Sequence, residues 1–130
     1  MCSNPLISIV TPTLNSASSI ENTLKSISHQ SYNSFEHLII DSRSTDDTLK
    51  IVKQYEKIYP MKYISEEDTG IADAFNKGID LSSGKWLIFL GSGDELYSPE
   101  ILSEIGKELK LRENELIVWG DIVYKDKLGN

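Results

Sequence analysis

Cysteine, long apolar runs and positive charge are all scarce in this sequence, and each scarcity excludes a class of protein. The only cysteine among the 130 residues is Cys2, so the chain forms neither an intrachain disulfide nor a cysteine metal cluster. The longest uninterrupted apolar run covers residues 86–90, and the first residues lack a basic segment followed by an apolar stretch. The sequence therefore predicts no secretion signal and no membrane span.

The charge balance is acidic. Against 20 Asp and Glu residues there are 13 Lys and Arg residues, for a net charge of −7, which argues against nucleic acid as a partner. The 39% hydrophobic and 25% charged residues are typical of a globular protein. A domain of this length buries about two-thirds of its unfolded surface. The single cysteine fits a reducing, cytoplasmic setting. Peripheral association of the full protein with the inner face of a membrane is compatible with this setting.

Apolar runs with strand character alternate with amphipathic segments along the chain. Helices are predicted between strands at residues 6–11, 35–40, 61–64, 86–90 and 115–124. This alternation predicts an α/β fold, with a mainly parallel sheet between two layers of helices and a single domain over residues 1–130. Since the sequence stops at a turn where another strand would begin, we expect it to be the front part of a longer protein.

Local signals predict where several elements start and stop. Ser18 and Glu21 have the spacing of a capping box, and Ser44 with Asp47 is predicted to open the second helix. Pro12 is predicted to end the first strand. The third helix is predicted to bury one apolar stripe, made of Ile71, Ala74, Phe75, Gly78 and Ile79.

Three of the strands end in small and acidic residues. Pro12 and Thr13 end the first, Asp41 ends the second, and Asp94 follows the fourth after a glycine-rich turn. Parallel strands bring their carboxyl ends to one edge, where α/β folds bind ligands, so we expect these segments to converge. At about 4 Å a carboxylate and a phosphate repel by roughly 4 kcal/mol at an effective dielectric of 20. An acidic site of this kind therefore indicates a phosphate ligand bridged by Mg²⁺ or Mn²⁺.

Each candidate residue also has a simpler structural interpretation. Asp46 and Asp47 are best explained as helix-capping acids, and Asp94 taken alone as part of a turn. Asp73 and Lys77 have the spacing of a surface ion pair. Asp41 is different, because it precedes the cap and can accept the imide N–H of a uracil-like base.

Four of these segments together resemble the family 2 glycosyltransferases of the GT-A fold. They are residues 7–15, 39–48, 68–79 and 86–94, in the family's order, and residues 117–121 resemble a segment that often follows. The resemblance implies inverting transfer of a sugar from a nucleotide-diphosphate donor, usually a UDP-sugar, with Mg²⁺ or Mn²⁺ as cofactor. It also implies an acceptor hydroxyl on a glycan or a lipid-linked glycan precursor.

The resemblance extends to individual positions. The nucleoside-binding positions match Pro12, Thr13, Asn15 and Asp41. The donor-pocket positions match Asp68, Gly70, Asp73, Asn76, Lys77 and Gly78, to which Ser92 of the metal-binding motif is added. The metal-binding acid matches Asp94, while Gly93 stands where many members have a second acid. Ser42 and Arg43 replace the glycines that usually follow the second strand.

The catalytic base is not assigned to a residue of this chain. In the family it comes from a later, acceptor-side segment, so we expect it beyond Asn130. Asp121, the only late acid on a predicted strand, suits a structural or acceptor-cleft role better. We therefore expect the chain to be the donor-binding half, which binds nucleotide but transfers sugar poorly by itself.

Two alternatives to this interpretation belong to other classes. The main one is a non-catalytic nucleotide-binding or assembly module of the same fold. The second is a Rossmann or receiver-like α/β domain. Dinucleotide binding is disfavoured, because the first strand leads to Pro-Thr-Leu-Asn and not to a glycine-rich turn, and receiver chemistry would need an acid pair at the end of that strand, which the sequence lacks.

Overall fold

The computed structural model describes residues 4–115, in which strands and helices alternate as the sequence predicts. The strands are β1 (Ile7–Thr13), β2 (Phe35–Asp41), β3 (Met61–Ser65) and β4 (Trp86–Phe89). The helices are α1 (Ile20–Ser28), α2 (Thr48–Tyr55), α3 (Ile71–Leu81) and α4 (Ile101–Leu111). The predicted α/β fold is confirmed.

Several predictions fall on the last part of the chain. The strand predicted up to residue 124, Asp121 and the turn that ends at Asn130 all lie outside the described residues. The catalytic base expected beyond Asn130 therefore stays a prediction.

The four strands form one parallel sheet in the order β3-β2-β1-β4. Strands β2 and β3 lie on one side of β1, and β4, which comes last in the chain, lies on the other side. The direction of winding therefore reverses between β1 and β4, which is where open α/β sheets form a crevice at the carboxyl ends of the strands. The register aligns Thr13 with Asp41, and Asp41 with Ser65, so three strands end at the same level.

Pro12 lies inside β1, so the prediction that it ends the strand was wrong. Alternate residues of β1 turn their backbone groups toward β2 and toward β4: Ser42 donates to the Thr13 carbonyl, and Leu90 donates to the Val10 carbonyl. Pro12 therefore faces the β4 side, where the pairing of β1 with β4 has already ended at Val10. Its missing N–H leaves no gap in the ladder.

The sheet is covered on both faces, but α3 touches it only narrowly. The larger core cluster joins one face of the sheet to α1, α2 and α4, and the smaller one joins Val10 and its neighbours to α3. The predicted stripe on α3 was wrong in extent, because Ile71 is 66% and Ile79 is 42% exposed. A Cβ at Gly78 would lie 2.3 Å from a methyl carbon of Val10. The helix thus packs on β1 and β2 through Ala74, Phe75 and Gly78, while Ile71 and Ile79 are left largely exposed.

The helix starts also differ from the predictions. No side chain caps α1, and the carbonyl of Ser16 accepts the amides of Ser19 and Ile20. The predicted capping box is therefore absent, and Glu21 accepts a hydrogen bond from Tyr55 at 3.2 Å. Helix α2 begins at Thr48, later than predicted.

No helix within residues 4–115 combines the length and the apolar character needed to cross a bilayer.

His37 is a fully buried histidine on β2. Its Nε2 lies 2.7 Å from the Thr11 hydroxyl and its Nδ1 lies 2.9 Å from the Tyr59 hydroxyl. Burial lowers the pKa of His37 from 6.5 to about 3. The folded chain therefore holds a neutral imidazole at pH values where the unfolded chain binds a proton.

This histidine makes stability depend on pH. Since the unfolded state takes up the proton first, the free energy of unfolding should fall by about 2 kcal/mol between about pH 7 and about pH 5. The other side chains with lowered pKa values, Glu36 and Asp46, have ordinary pKa values of 4.5 and 3.8, below this interval. Urea unfolding at both pH values tests this. In His37→Gln the free energy of unfolding should no longer depend on pH in this interval. The control His29→Gln, at an exposed site, should keep the dependence. An equally steep dependence in His37→Gln would contradict the prediction.

Candidate functional site

A hydrogen bond spans the point between β1 and β4 where the winding reverses. The hydroxyl of Thr13, at the end of β1, lies 3.3 Å from the hydroxyl of Ser92 in the turn after β4. Thr13 is buried and Ser92 is partly exposed. Two residues predicted to bind substrate are therefore neighbours in the crevice that the topology creates. We call the strand ends and the loops that follow them the carboxyl edge.

Asp41 is the buried centre of this edge. Its carboxylate is fully enclosed and accepts hydrogen bonds from the Ser44 amide at 2.9 Å, from the Ser44 hydroxyl and from the Ser65 hydroxyl at 2.7 Å. Its carbonyl accepts the amide of Glu66 at 3.0 Å. The residue thus joins the loop after β2 to the loop after β3. Because Ser44 is held by Asp41, it does not open α2 as predicted.

Asn15 joins the loop after β1 to the loop after β2. Its side-chain oxygen accepts the amide of Thr45 at 2.8 Å, and its own amide donates to the Ser44 hydroxyl at 2.8 Å. Its φ of 48° is left-handed, a conformation that asparagine tolerates better than most residues. Asn15 therefore sets the shape of the first two loops.

The two acids that precede α2, Asp46 and Asp47, differ in their hydrogen bonds. The Asp46 carboxylate accepts the Thr48 amide at 3.0 Å and the Ala17 amide at 3.1 Å, and its bond from the Thr48 hydroxyl is the main cause of its lowered pKa. The capping interpretation is confirmed for Asp46. The Asp47 side chain makes no capping bond.

A network around Lys77 holds the acidic loop that precedes α3. The ammonium donates to the carbonyl of Glu67 at 2.7 Å and lies 3.2 Å from Glu66 and 3.6 Å from Asp73. Asp73 also accepts the amide of Thr69 at 3.1 Å. Partial burial acts to lower the pKa of Lys77, but the bond with Glu66 and the neighbouring acids raise it overall. The predicted ion pair is confirmed, and its partners tie the loop to the helix.

The remaining donor-pocket candidates lie on α3 or in the loop before it, and their environments differ from that of Lys77. Asp68 accepts the amide of Gly70 at 3.1 Å, at the start of the helix. Asn76 is exposed. Gly78 is buried against Val10 at the sheet, so the structure gives it a packing position and does not bring it to the carboxyl edge.

Asp94 lies on an exposed turn after β4. Its Oδ2 accepts the amide of Gly91 at 3.2 Å, and its amide donates to the carbonyl of Gly91 at 3.0 Å. The turn interpretation therefore describes the local geometry. Among the described residues, Oδ1 accepts no hydrogen bond, which leaves it available to a ligand.

Positive charge is rare at this edge. In the described loops after the four strands Arg43 is the one cation, with its side chain 70% exposed and 3.9 Å from Glu67. Its φ of 52° is left-handed, so the turn after Asp41 has a backbone that glycine would adopt at lower cost. This geometry accounts for the glycines usual here in the family that the sequence resembles.

Sequence reasoning missed Ser65 and Thr23. Ser65 is the last residue of β3 and pairs with Asp41, so strand register would have found it. Thr23 is a polar residue inside the apolar stripe of α1, and its hydroxyl bonds to the turn that carries Asp94. A polar side chain at a core position was the only signal for it.

The chain belongs to glycosyl transferase family 2, whose family model matches residues 8–128. It is 37% identical over 123 residues to a PGL/p-HBAD biosynthesis glycosyltransferase of Mycobacterium bovis, covering 93% of this chain and 48% of that protein. It is 40% identical over 93 residues to TuaG of Bacillus subtilis, a glycosyltransferase named for teichuronic acid biosynthesis, covering 70% of this chain and 37% of TuaG. The chain thus spans about half or less of the length of these curated relatives.

Solved structures give the same family. The structure of S. aureus TarS 1–349 in complex with UDP-GlcNAc superposes with a TM-score of 0.78 at 26% identity, covering 82% of this chain and 32% of that one. The mannosyltransferase PcManGT from Pyrobaculum calidifontis, in complex with GDP-Man and Mn²⁺, superposes with a TM-score of 0.74 at 26% identity, covering 82% and 33%. The predicted family and GT-A fold are therefore confirmed.

The Asp41 network predicts a measurable contribution to stability. Asp41→Asn replaces one acceptor oxygen by an NH₂ group that faces the donors of Ser44 and Ser65, so we expect the free energy of unfolding to fall by about 2 kcal/mol. Urea unfolding measures it. The matched control is Asp47→Asn, an exposed carboxylate, with an expected change of about 0.5 kcal/mol or less. An equal loss of unfolding free energy in the two variants would contradict the stabilising role of the Asp41 network.

Proposed function

We propose that the carboxyl edge binds a nucleotide sugar, with a UDP-sugar as the first candidate, and that the chain supplies the donor half of an inverting glycosyltransferase. The observation that carries the proposal is the contact between Thr13 and Ser92 across the crevice. On one side of that contact lies the Asp41 network, and on the other lies the turn with Asp94. A ligand that spans the crevice thus meets a polar pocket at one end and an available carboxylate oxygen at the other.

The nucleobase is assigned to the Asp41 end. Asp41 Oδ1 accepts one hydrogen bond, from the Ser44 hydroxyl, and a carboxylate oxygen can accept a second one. The imide N–H of uracil has the chemistry to supply it. Because Asp41 is fully buried, the base reaches it only if a neighbouring group moves aside. Pro12, Thr13 and Asn15 form the adjoining wall.

The diphosphate is assigned to the Asp94 end, together with Mg²⁺ or Mn²⁺. No group of three or more His, Cys, Asp or Glu side chains within residues 4–115 is arranged to hold a metal ion. One carboxylate fits a divalent ion that is also bound by substrate phosphates and water, which is the usual arrangement for Mg²⁺. Such an ion would stabilise the negative charge of the departing diphosphate. Asp94 would hold it through Oδ1.

The remaining candidates are assigned to the donor pocket through the acidic loop. Lys77 is neutralised by Glu66 and Asp73, so its role is to hold the loop that presents Asp68 and Gly70. Asn76 is the exposed polar group of α3 that this loop leaves accessible to the sugar.

The acceptor site and the catalytic base are assigned to a segment beyond Asn130, as the resemblance to the family implies. The names of the mycobacterial relative and of TuaG, both given as biosynthesis glycosyltransferases, support a role in glycan biosynthesis. We place the reaction on the cytoplasmic side of a membrane, with a lipid-linked or glycan acceptor.

The proposal predicts that metal and nucleotide bind together. Calorimetric titration with UDP, GDP and dTDP should show binding of one nucleotide, with Mn²⁺ raising its affinity by about tenfold or more, a gain of about 1.4 kcal/mol. In Asp94→Ala this gain should vanish, while metal-free binding should stay equal or improve because a repelling carboxylate is gone.

Asp80→Ala is the matched control, since it removes an exposed carboxylate from the far end of α3. It should keep the gain. Absence of nucleotide binding by the folded wild-type chain, with and without Mn²⁺, would overturn the proposed function.

A further inference from the structure

The turn that carries Asp94 is held by one hydroxyl on α1. Thr23 is fully buried, and its Oγ1 accepts the amide of Gly93 at 2.8 Å and donates to the carbonyl of Asp94 at 2.6 Å. These two backbone groups flank the Gly93–Asp94 peptide bond and the Cα of Asp94. A single side chain therefore restrains the backbone from which the Asp94 carboxylate projects.

The turn has a conformation that needs this support. Gly93 has a φ of 100°, which residues with a Cβ rarely adopt, and an added Cβ would lie 3.3 Å from the Cβ of Ser19. Glycine leaves the backbone free to take other conformations at little cost. The bonds to Thr23 limit this freedom, in addition to the bonds that Asp94 makes with Gly91.

A second hydroxyl of the same helix holds the chain just beyond the turn. Ser26 Oγ accepts the amide of Leu96 at 3.0 Å. The segment after β4 thus runs along α1 and is bound at two points, and Thr23 is the point next to Asp94.

Packing alone does not explain a threonine at this position. The other buried positions that form the stripe of α1 are aliphatic: Ile20, Leu24 and Ile27. A valine would fill the same volume as Thr23 without a hydroxyl. The part of Thr23 that a valine would lack is the hydroxyl, which makes the hydrogen bonds to the turn.

We propose that Thr23 is a positioning residue for metal binding, which fixes the backbone of the Ser92-Gly93-Asp94 turn and thereby the position of the Asp94 carboxylate. The inference rests on the proposed function, because it assigns a support to the proposed metal ligand. Thr23 itself touches neither metal nor substrate.

The test compares Thr23→Val, which keeps the volume and loses the hydroxyl, with Thr23→Ser, which keeps the hydroxyl. In Thr23→Val we expect the Mn²⁺-dependent gain in nucleotide affinity to fall by about tenfold, the usual size of the effect when a partner of a metal ligand is lost. Metal-free nucleotide affinity should not change. Thr23→Ser should restore the gain.

Hydrogen exchange gives a readout that needs no metal. The amide of Gly93 should exchange faster in Thr23→Val than in the wild type or in Thr23→Ser, because its acceptor is gone. If Thr23→Val does not fold, Thr23→Ala provides a second variant without the hydroxyl.

Thr11→Val is the control for a general loss of stability, since it removes another fully buried hydroxyl, which contacts His37 and not the turn. It should keep the metal-dependent gain. A gain that survives in Thr23→Val, or that is lost equally in Thr11→Val, overturns this inference alone. A wild-type chain without any gain overturns the proposed function instead.

Discussion

A carboxylate buried at the end of β2 holds together the loops from which the candidate site is built. Burying such a group is costly unless hydrogen bonds replace its water, and Asp41 has donors from the loop after its own strand and from the end of β3. Those donors reach it because the parallel register places Asp41 opposite Ser65. Asn15 adds the loop after β1 through the same serine, Ser44. The shape of the nucleotide end therefore follows from strand pairing.

The charges of the carboxyl edge determine which ligands it suits. Among residues 4–115, Arg43 and Lys77 are cations of this edge and its loops, and both are paired with acids of the loop after β3. Neither is free to neutralise a diphosphate without breaking an ion pair. A bare anion is therefore a poor ligand for this edge, and a diphosphate that brings its own divalent ion is a suitable one.

Much of this architecture could be predicted from the sequence. Strand character and helical spacing identified the strands and helices in order, and the residues at the strand ends converge as expected for parallel strands. The errors came from interactions between elements. Pro12 lies within β1 because the pairing of β1 with β4 ends at Val10. Ser44 does not cap α2 because it is hydrogen-bonded to Asp41. Gly78 matches a donor-pocket position, which stays a prediction, and its close packing on Val10 could not be read from the sequence. Thr23 acts on a turn about seventy residues away in sequence, which no local pattern reveals.

The central claim is that nucleotide and metal bind along the carboxyl edge, between the ends of β1, β2 and β4. It is tested most directly by NMR of the isotope-labelled chain with UDP and Mg²⁺, followed by trace Mn²⁺ to broaden amides near the metal. The account predicts shifts at Thr13, Asn15 and Ser44, and broadening centred on Asp94. Shifts confined to the opposite end of the sheet, where a shallow depression is lined by Ser34 and Lys85, would contradict it.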